Sequence, residues 1–214
     1  MKVGVVCEGI HDFPALDVLV RELANAAGIA DVTCSRLQPN GDATSNAGDG
    51  GWTKVAAWCE DHTGRTLDTF LGAPLFEGDE VFDILVIHLD GDIAEKCAEK
   101  YAVTLPHPIT VASRIRLLAD LIDQWLAPKP EYAAKIKVAI PTLMTETWML
   151  AGVSTQNHAW ESIAAKELFL AETGYVEGSP KADHYIAKAL QLAGKTAQIR
   201  QRCSSFDAFA QQIP

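Results

Sequence analysis

Val81-Phe82-Asp83-Ile84-Leu85-Val86-Ile87-His88-Leu89-Asp90-Gly91-Asp92 is the stretch on which the fold turns. Its centre is apolar at consecutive rather than alternate residues, the pattern of a strand buried on both faces, and such strands belong to parallel sheets with helices on either side. Its end has the opposite character, with two carboxylates around a glycine. Lys2-Val3-Gly4-Val5-Val6-Cys7 repeats the theme and runs into Glu8-Gly9-Ile10-His11-Asp12. Two strands that bring acids to their C-terminal ends predict one shared divalent-metal site, because open α/β sheets bind ligands at that edge.

The rest of the chain fits around these strands. After the first, Leu16, Leu19, Val20, Leu23 and Ala27 recur at helical spacing, with Pro14 in the first turn and Gly28 at the stop. A second strand is predicted over 31–37. The stretch 39–51, rich in Gly, Asn, Asp and Ser, reads as a turn-rich loop able to lie over a cleft. A helix begins near Thr53 with Val55, Trp58 and Cys59, and a further piece holds Leu67, Phe70 and Leu71. The strand quoted first spans 81–89. Val111, Ile115, Leu118, Ile122 and Trp125 make an amphipathic helix over 109–125, ended by Pro128 and Pro130. Lys135 to Ile140 reads as another strand, and the remainder as helices over 162–171, 181–192 and 205–211. This alternation predicts an α/β fold with a mostly parallel sheet, helices on both faces and a C-terminal helical segment. The expected division is an α/β domain over 1–151 and a helical extension over 152–214 that packs on it.

Composition narrows the function classes. The chain has 214 residues, 48% of them apolar, enough for one substantial core. Its apolar runs are too short to span a bilayer and Met1-Lys2 leads straight into a strand, so the expectation is a cytoplasmic protein without a membrane partner. The five cysteines form no CxxC pair and read as reduced thiols. A net charge of -10 disfavours binding to nucleic acid through basic residues alone. It leaves room for a metal enzyme, since a bound cation reverses the local sign of its site.

Magnesium takes oxygen ligands and keeps several waters, so a few carboxylates suffice. Asp90 and Asp92, around Gly91, can turn toward one cation, with Glu8 at the end of the neighbouring strand. The competing reading is helix capping, by Asp92 near Ile93 and by Asp12 near Phe13. Capping does not account for Glu8, which precedes its helix by too many residues, nor for Asp90, which precedes the Asp92 capping position. His88 shares the side of Asp90 by alternation and reads either as a core histidine or as a hydrogen-bond partner of a ligating carboxylate. His11 has only its position beside the turn in its favour.

With these residues in view, the pattern strand-Glu8-Gly9-x-x-Asp12 followed by strand-Asp90-x-Asp92 resembles the Toprim fold of topoisomerases, DnaG-type primases and nucleases of the overcoming-lysogenization-defect group. The resemblance spans roughly 1–151 and implies a Toprim or Rossmann-like sheet. It implies Glu8 as the proton-transfer group and a metal ligand, Asp90 and Asp92 as ligands of magnesium or manganese, and Asp12 as the extra acid of nuclease-type members. Pro141 followed by Glu146-x-Trp148-x-x-Ala151 is similar to stand-alone Toprim-like proteins, which makes Glu146 a further acid near the site and an ATPase a possible partner. The first-turn position of Glu146 is also favoured by the helix dipole alone.

The implied function is a metal-dependent phosphodiesterase, a nuclease acting on DNA or RNA. The chain departs from a topoisomerase in having no companion domain for a nucleophilic tyrosine, and no strand-borne lysine lies beside the DxD motif; Lys96 and Lys100 fall on the following helix. Arg36, Lys54, Arg65, Arg114 and Arg116 are candidate phosphate contacts. Two rivals remain: a nucleotide-sugar transferase holding a metal through its DxD, and a non-catalytic subunit of an ATPase-linked defence or repair complex. Cys59-x-x-His62 lacks the partner pair of a zinc site, and Gly194-Lys195-Thr196 lacks the upstream glycine and strand of a phosphate loop.

Overall fold

Apolar strand segments at the start, middle and two-thirds point of the chain come together in one parallel sheet, in a computed structural model that describes residues 1–39, 51–74, 76–77, 80–163 and 165–214. In chain order the elements are β1 (Lys2–Val6), α1 (Asp12–Ala26), β2 (Thr33–Gln38), α2 (Trp52–Asp61), α3 (Asp68–Leu71), β3 (Ile84–His88), α4 (Ala94–Lys100), α5 (Val111–Leu126), α6 (Pro130–Ala133), β4 (Ile136–Ala139), α7 (Thr145–Val153), α8 (Ala165–Glu172), α9 (Lys181–Ala189), α10 (Thr196–Arg202) and α11 (Ser204–Ala210). The predicted α/β class with helices and a C-terminal helical part is observed, and the sheet is all-parallel in the order β2-β1-β3-β4.

The consecutive apolar residues of β3 divide between two cores. Ile84 and Val86 enter the core shared with β1, α1, α7 and the C-terminal helices, whereas Leu85 and Ile87 enter the core formed with α2, α4 and α5. This two-sided burial is what the sequence pattern required. It also settles the direction of His88, which by the period of two projects with Ile84 and Val86 toward α1 and α7. The chain leaves β1 for β2 on one side and reaches β3 on the other, so the C-terminal ends of β1 and β3 open a crevice where the strand order reverses.

The C-terminal helices share the first of these cores. Phe169, Tyr185, Ile199, Phe206 and Phe209 are buried against β1, α1 and α7. The α7 helix is buried from Thr145 to Gly152, as befits a helix enclosed on every side. Trp148 is fully buried, donates through Nε1 to Ser205 Oγ at 3.0 Å and stacks on Phe209 at 5.7 Å. At the far edge of the sheet, Gln212 holds β4 by both ends of its side-chain amide. Its Oε1 accepts from Val138 N–H at 2.9 Å and its Nε2 donates to Val138 O at 3.1 Å.

Several boundaries differ from expectation. The strand predicted over 81–89 is shortened to Ile84–His88, because Phe82 N–H turns aside to Phe70 O. Pro130 does not merely follow a helix; it opens α6, where its missing N–H is no loss. The helix expected over 162–171 is Ala165–Glu172, and that over 181–192 is α9 followed by a 3-10 turn at Leu190–Leu192. The α10 helix had no sequence counterpart. The loop expected over 39–51 lies, apart from its two ends, outside the described residues.

Candidate metal centre

At the crevice, the backbone after β1 and the backbone after β3 are tied by an acid. Glu8 Oε1 accepts the Asp90 N–H at 2.7 Å. Asp12, first residue of α1, turns its carboxylate back into the loop, where Oδ2 accepts the Gly9 N–H at 2.8 Å. The third contributor is the first turn of α7. Thr145 N–H donates to Asp90 Oδ1 at 2.9 Å, and the Thr145 hydroxyl lies 2.8 Å from His88 Nε2 and 3.3 Å from Asp90 Oδ1. His88 Nε2 is itself 3.6 Å from Asp90 Oδ1.

Asp12, His88 and Asp90 thus each present a ligand atom within 4.8 Å of the others, a group that could hold a metal ion. His88 is wholly buried, as a core histidine would be, but its Nε2 bonds the Thr145 hydroxyl and lies 3.6 Å from Asp90 Oδ1, and its Nδ1 has no hydrogen-bond partner among the described residues. Glu8 abuts this group through the Asp90 amide. Glu146 follows Thr145 in α7, is buried, and accepts the Tyr185 hydroxyl at 2.5 Å. Asp92 is exposed and outside this group of three, in the 3-10 turn Gly91–Ile93 with its N–H donated to Leu143 O at 2.9 Å, although its charge still acts on Glu8 and Asp90.

The capping alternatives do not describe these acids. The helix after β3 starts at Ala94 with Ile93 at its N-cap, and Asp92 makes no cap bond; at α1 the N-cap is His11, also without a side-chain bond. The turn that carries Asp90 is held closely by the chain crossing it. A Cβ on Gly91 would lie 2.2 Å from Thr142 O and 2.3 Å from Pro141 O, so only glycine lets the 141–143 segment pass.

The electrostatics follow from burial and crowding. Burial raises the Glu8 carboxyl to about 8, with the Asp12 and Asp92 charges adding and the Asp90 and Trp52 amides opposing. Burial likewise pushes Asp90 well above the carboxylate range, reinforced by Asp12, Glu8, Glu146 and Asp92. Asp12 is raised by burial against the pull of Thr145 and Gly9. Burial lowers the His88 imidazole to about 3, so it is neutral. Among the described residues no lysine or arginine forms an ion pair with Glu8, Asp12, Asp90 or Glu146. Half-buried carboxylates crowded together without a basic partner favour uptake of a proton or a cation.

Two of the candidate phosphate contacts, Arg114 and Arg36, are held by neighbours. Arg114, a candidate phosphate contact, donates to Gly91 O at 2.9 Å and to both Glu95 oxygens, so it braces the DxD turn from behind. Arg36 lies over the Phe13 ring, and Lys100 over the Trp52 ring. His62 hydrogen-bonds Trp58 O and stacks on its indole, consistent with a structural role beside Cys59. Among the described residues no helix is long and apolar enough to cross a membrane. Two participants escaped the sequence reading. Thr145 sits one residue before Glu146 with nothing in its type to mark it, and Tyr185 reads as an ordinary apolar-face residue of α9. Compared with models of known protein families, with curated proteins and with solved structures, the chain matches none.

Proposed function

We propose that the chain is a divalent-metal-dependent phosphodiesterase of the Toprim-like class, a nuclease acting on DNA or RNA. The observation that carries this reading is the meeting of Glu8, Asp12 and Asp90 at the crevice between β1 and β3, with no lysine or arginine ion-paired to them among the described residues. Asp12 and Asp90 would hold the cation, with His88 Nε2 beside them. Oxygen donors suit magnesium or manganese, and an imidazole in the set tilts the balance toward manganese. A cation bound there would neutralise charge on a phosphate oxygen and acidify a bound water.

The chain's own groups supply the remaining parts. In the metal-free protein burial holds the Glu8 carboxyl at about 8, so it takes up a proton near neutral pH. With Oε1 accepting the Asp90 amide, its carboxyl stands at the crevice, placed to pass a proton between water and a leaving alkoxide. Thr145 orients Asp90 through two donors, so the carboxylate cannot swing away when the crevice is filled. A local positive centre reconciles phosphate binding with a net charge of -10.

The test is incubation of purified protein with circular duplex DNA, single-stranded DNA and RNA, with and without Mg2+ or Mn2+. Expected is metal-dependent cleavage that Glu8→Gln reduces by about 10²–10⁴-fold, the usual contribution of a general acid, and that Asp90→Asn removes. Folded wild-type protein that binds metal yet leaves every nucleic acid intact would overturn the nuclease reading.

A further inference from the structure

Tyr185 is 2% exposed, and its one ring reaches both sides of the crevice. Its hydroxyl donates to Glu146 Oε1 at 2.5 Å, and its face stacks on His11 with ring centroids 4.7 Å apart and 27° between planes. His11 belongs to the short loop that carries Glu8 at one end and Asp12 at the other. Glu146 belongs to the turn whose preceding residue, Thr145, grips Asp90 from its backbone and its hydroxyl. Phe169 also packs on the tyrosine, with ring centroids 5.3 Å apart and 54° between planes.

A buried phenol and a buried carboxylate are a costly pair to place in a core. Apolar residues of similar volume are commonly as stabilising or more so, because nothing polar then has to be desolvated. Beyond the helix dipole, which favours an acid in the first turn of α7, stability gives no reason for a buried acid at 146 or a hydroxyl at 185. The electrostatic reach of Glu146 does: its charge is felt at Asp90, at His88 and at His11, the groups that line the crevice. The pair belongs to the acid site in place and in effect, although Tyr185 lies in the C-terminal helical part and 39 residues from its partner.

We propose that Tyr185 is a positioning residue of the metal centre, whose hydroxyl aims the Glu146 carboxylate into the crevice beside Asp90 while its ring steadies His11 and with it the loop from Glu8 to Asp12. The inference rests on the reading of the crevice as a metal site, and it adds that helix α9 completes that site. Glu146 is then a cation ligand, direct or through water, and the hydroxyl acts only through it.

Calorimetric titration with Mn2+ tests this on wild type, Tyr185→Phe, Glu146→Gln, the double variant and Asp90→Asn, each checked by thermal melting. Tyr185→Phe keeps the ring and its stacks, so its melting temperature stays close to wild type while its Mn2+ affinity falls about 10-fold or more, the usual effect of removing a partner of a ligand. Glu146→Gln, which leaves the stack untouched, loses at least as much, and the double variant binds no more weakly than Glu146→Gln alone. Wild-type affinity in either single variant, or losses that add in the double, overturns the proposal. If Asp90→Asn abolishes binding while Tyr185→Phe leaves it unchanged, the role of Tyr185 falls and the metal site stands. If wild type takes up no Mn2+, both fall.

Discussion

Gly91 shows how little room the acid end of β3 has. Its neighbours are two backbone carbonyls, which cannot move aside as a flexible side chain would. Gly91→Ala is therefore expected to cost about 1–3 kcal/mol, as overpacked cores do, measured by denaturant unfolding, and to displace the Asp90 turn so that metal uptake weakens as well. The carboxylates at this scale were legible because strand, glycine and acid are consecutive: Glu8, Asp12 and Asp90 could be located by counting along the chain. Counting along the chain makes Asp92 a ligand beside Asp90, whereas the group that gathers is Asp12, His88 and Asp90, and the amide of Asp92 is taken by Leu143 O from a distant segment. Thr145 and Tyr185 were invisible for the same reason, since each acts through a partner that only the fold brings near.

Among the elements, α7 links chemistry to core. Its first turn presents Thr145 and Glu146 to the crevice, and three residues later Trp148 is sealed between the sheet and α11. Trp148→Ala should cost about 3–5 kcal/mol, the range for emptying a large aromatic site, and it leaves Ser205 Oγ without its donor. Chemical denaturation of the variant checks the figure, and a loss below about 1 kcal/mol would mean that α11 is not seated as described. The strands and α5 were readable from periodicity because each repeats one face over several turns or residues. The C-terminal helices were read only approximately. They are short and broken by glycines and 3-10 turns, and α10 spans only Thr196–Arg202, too brief for its pattern to rise above its surroundings.

For the whole molecule, the strand order explains why separate acids share one site. Acidic strand ends foretold a common edge, but only the order β2-β1-β3-β4 makes β1 and β3 neighbours across the reversal. The crowding has a price in pH dependence. Glu8 has its folded value raised to about 8 and Asp90 is raised as well, so the folded state holds protons that the unfolded chain has released. Stability from these groups is full below the unfolded carboxylate range, near 4, and is lost as pH rises through the folded values. His88 works in the other direction, its value lowered to about 3, and destabilises the fold only below the imidazole range near 6.5. Between about pH 6.5 and 8 the acids act alone. The metal-free protein should therefore melt at a lower temperature at pH 8 than at pH 6.5, with a smaller drop in Glu8→Gln. Added Mn2+ should remove most of the difference, and a melting temperature that rises over this interval without metal would contradict the assignment.

The grip of Gln212 on Val138 bears on solubility. With Lys135 O and Ala139 O turned inward to β3, Val138 presents its amide and carbonyl outward at the middle of a four-residue edge strand. An open edge of that kind invites another chain to add a strand. A single side-chain amide occupies the donor and the acceptor together, so the sheet ends in a hydrogen-bonded stop, and a molecule whose other edge is β2 has one fewer place from which to polymerise.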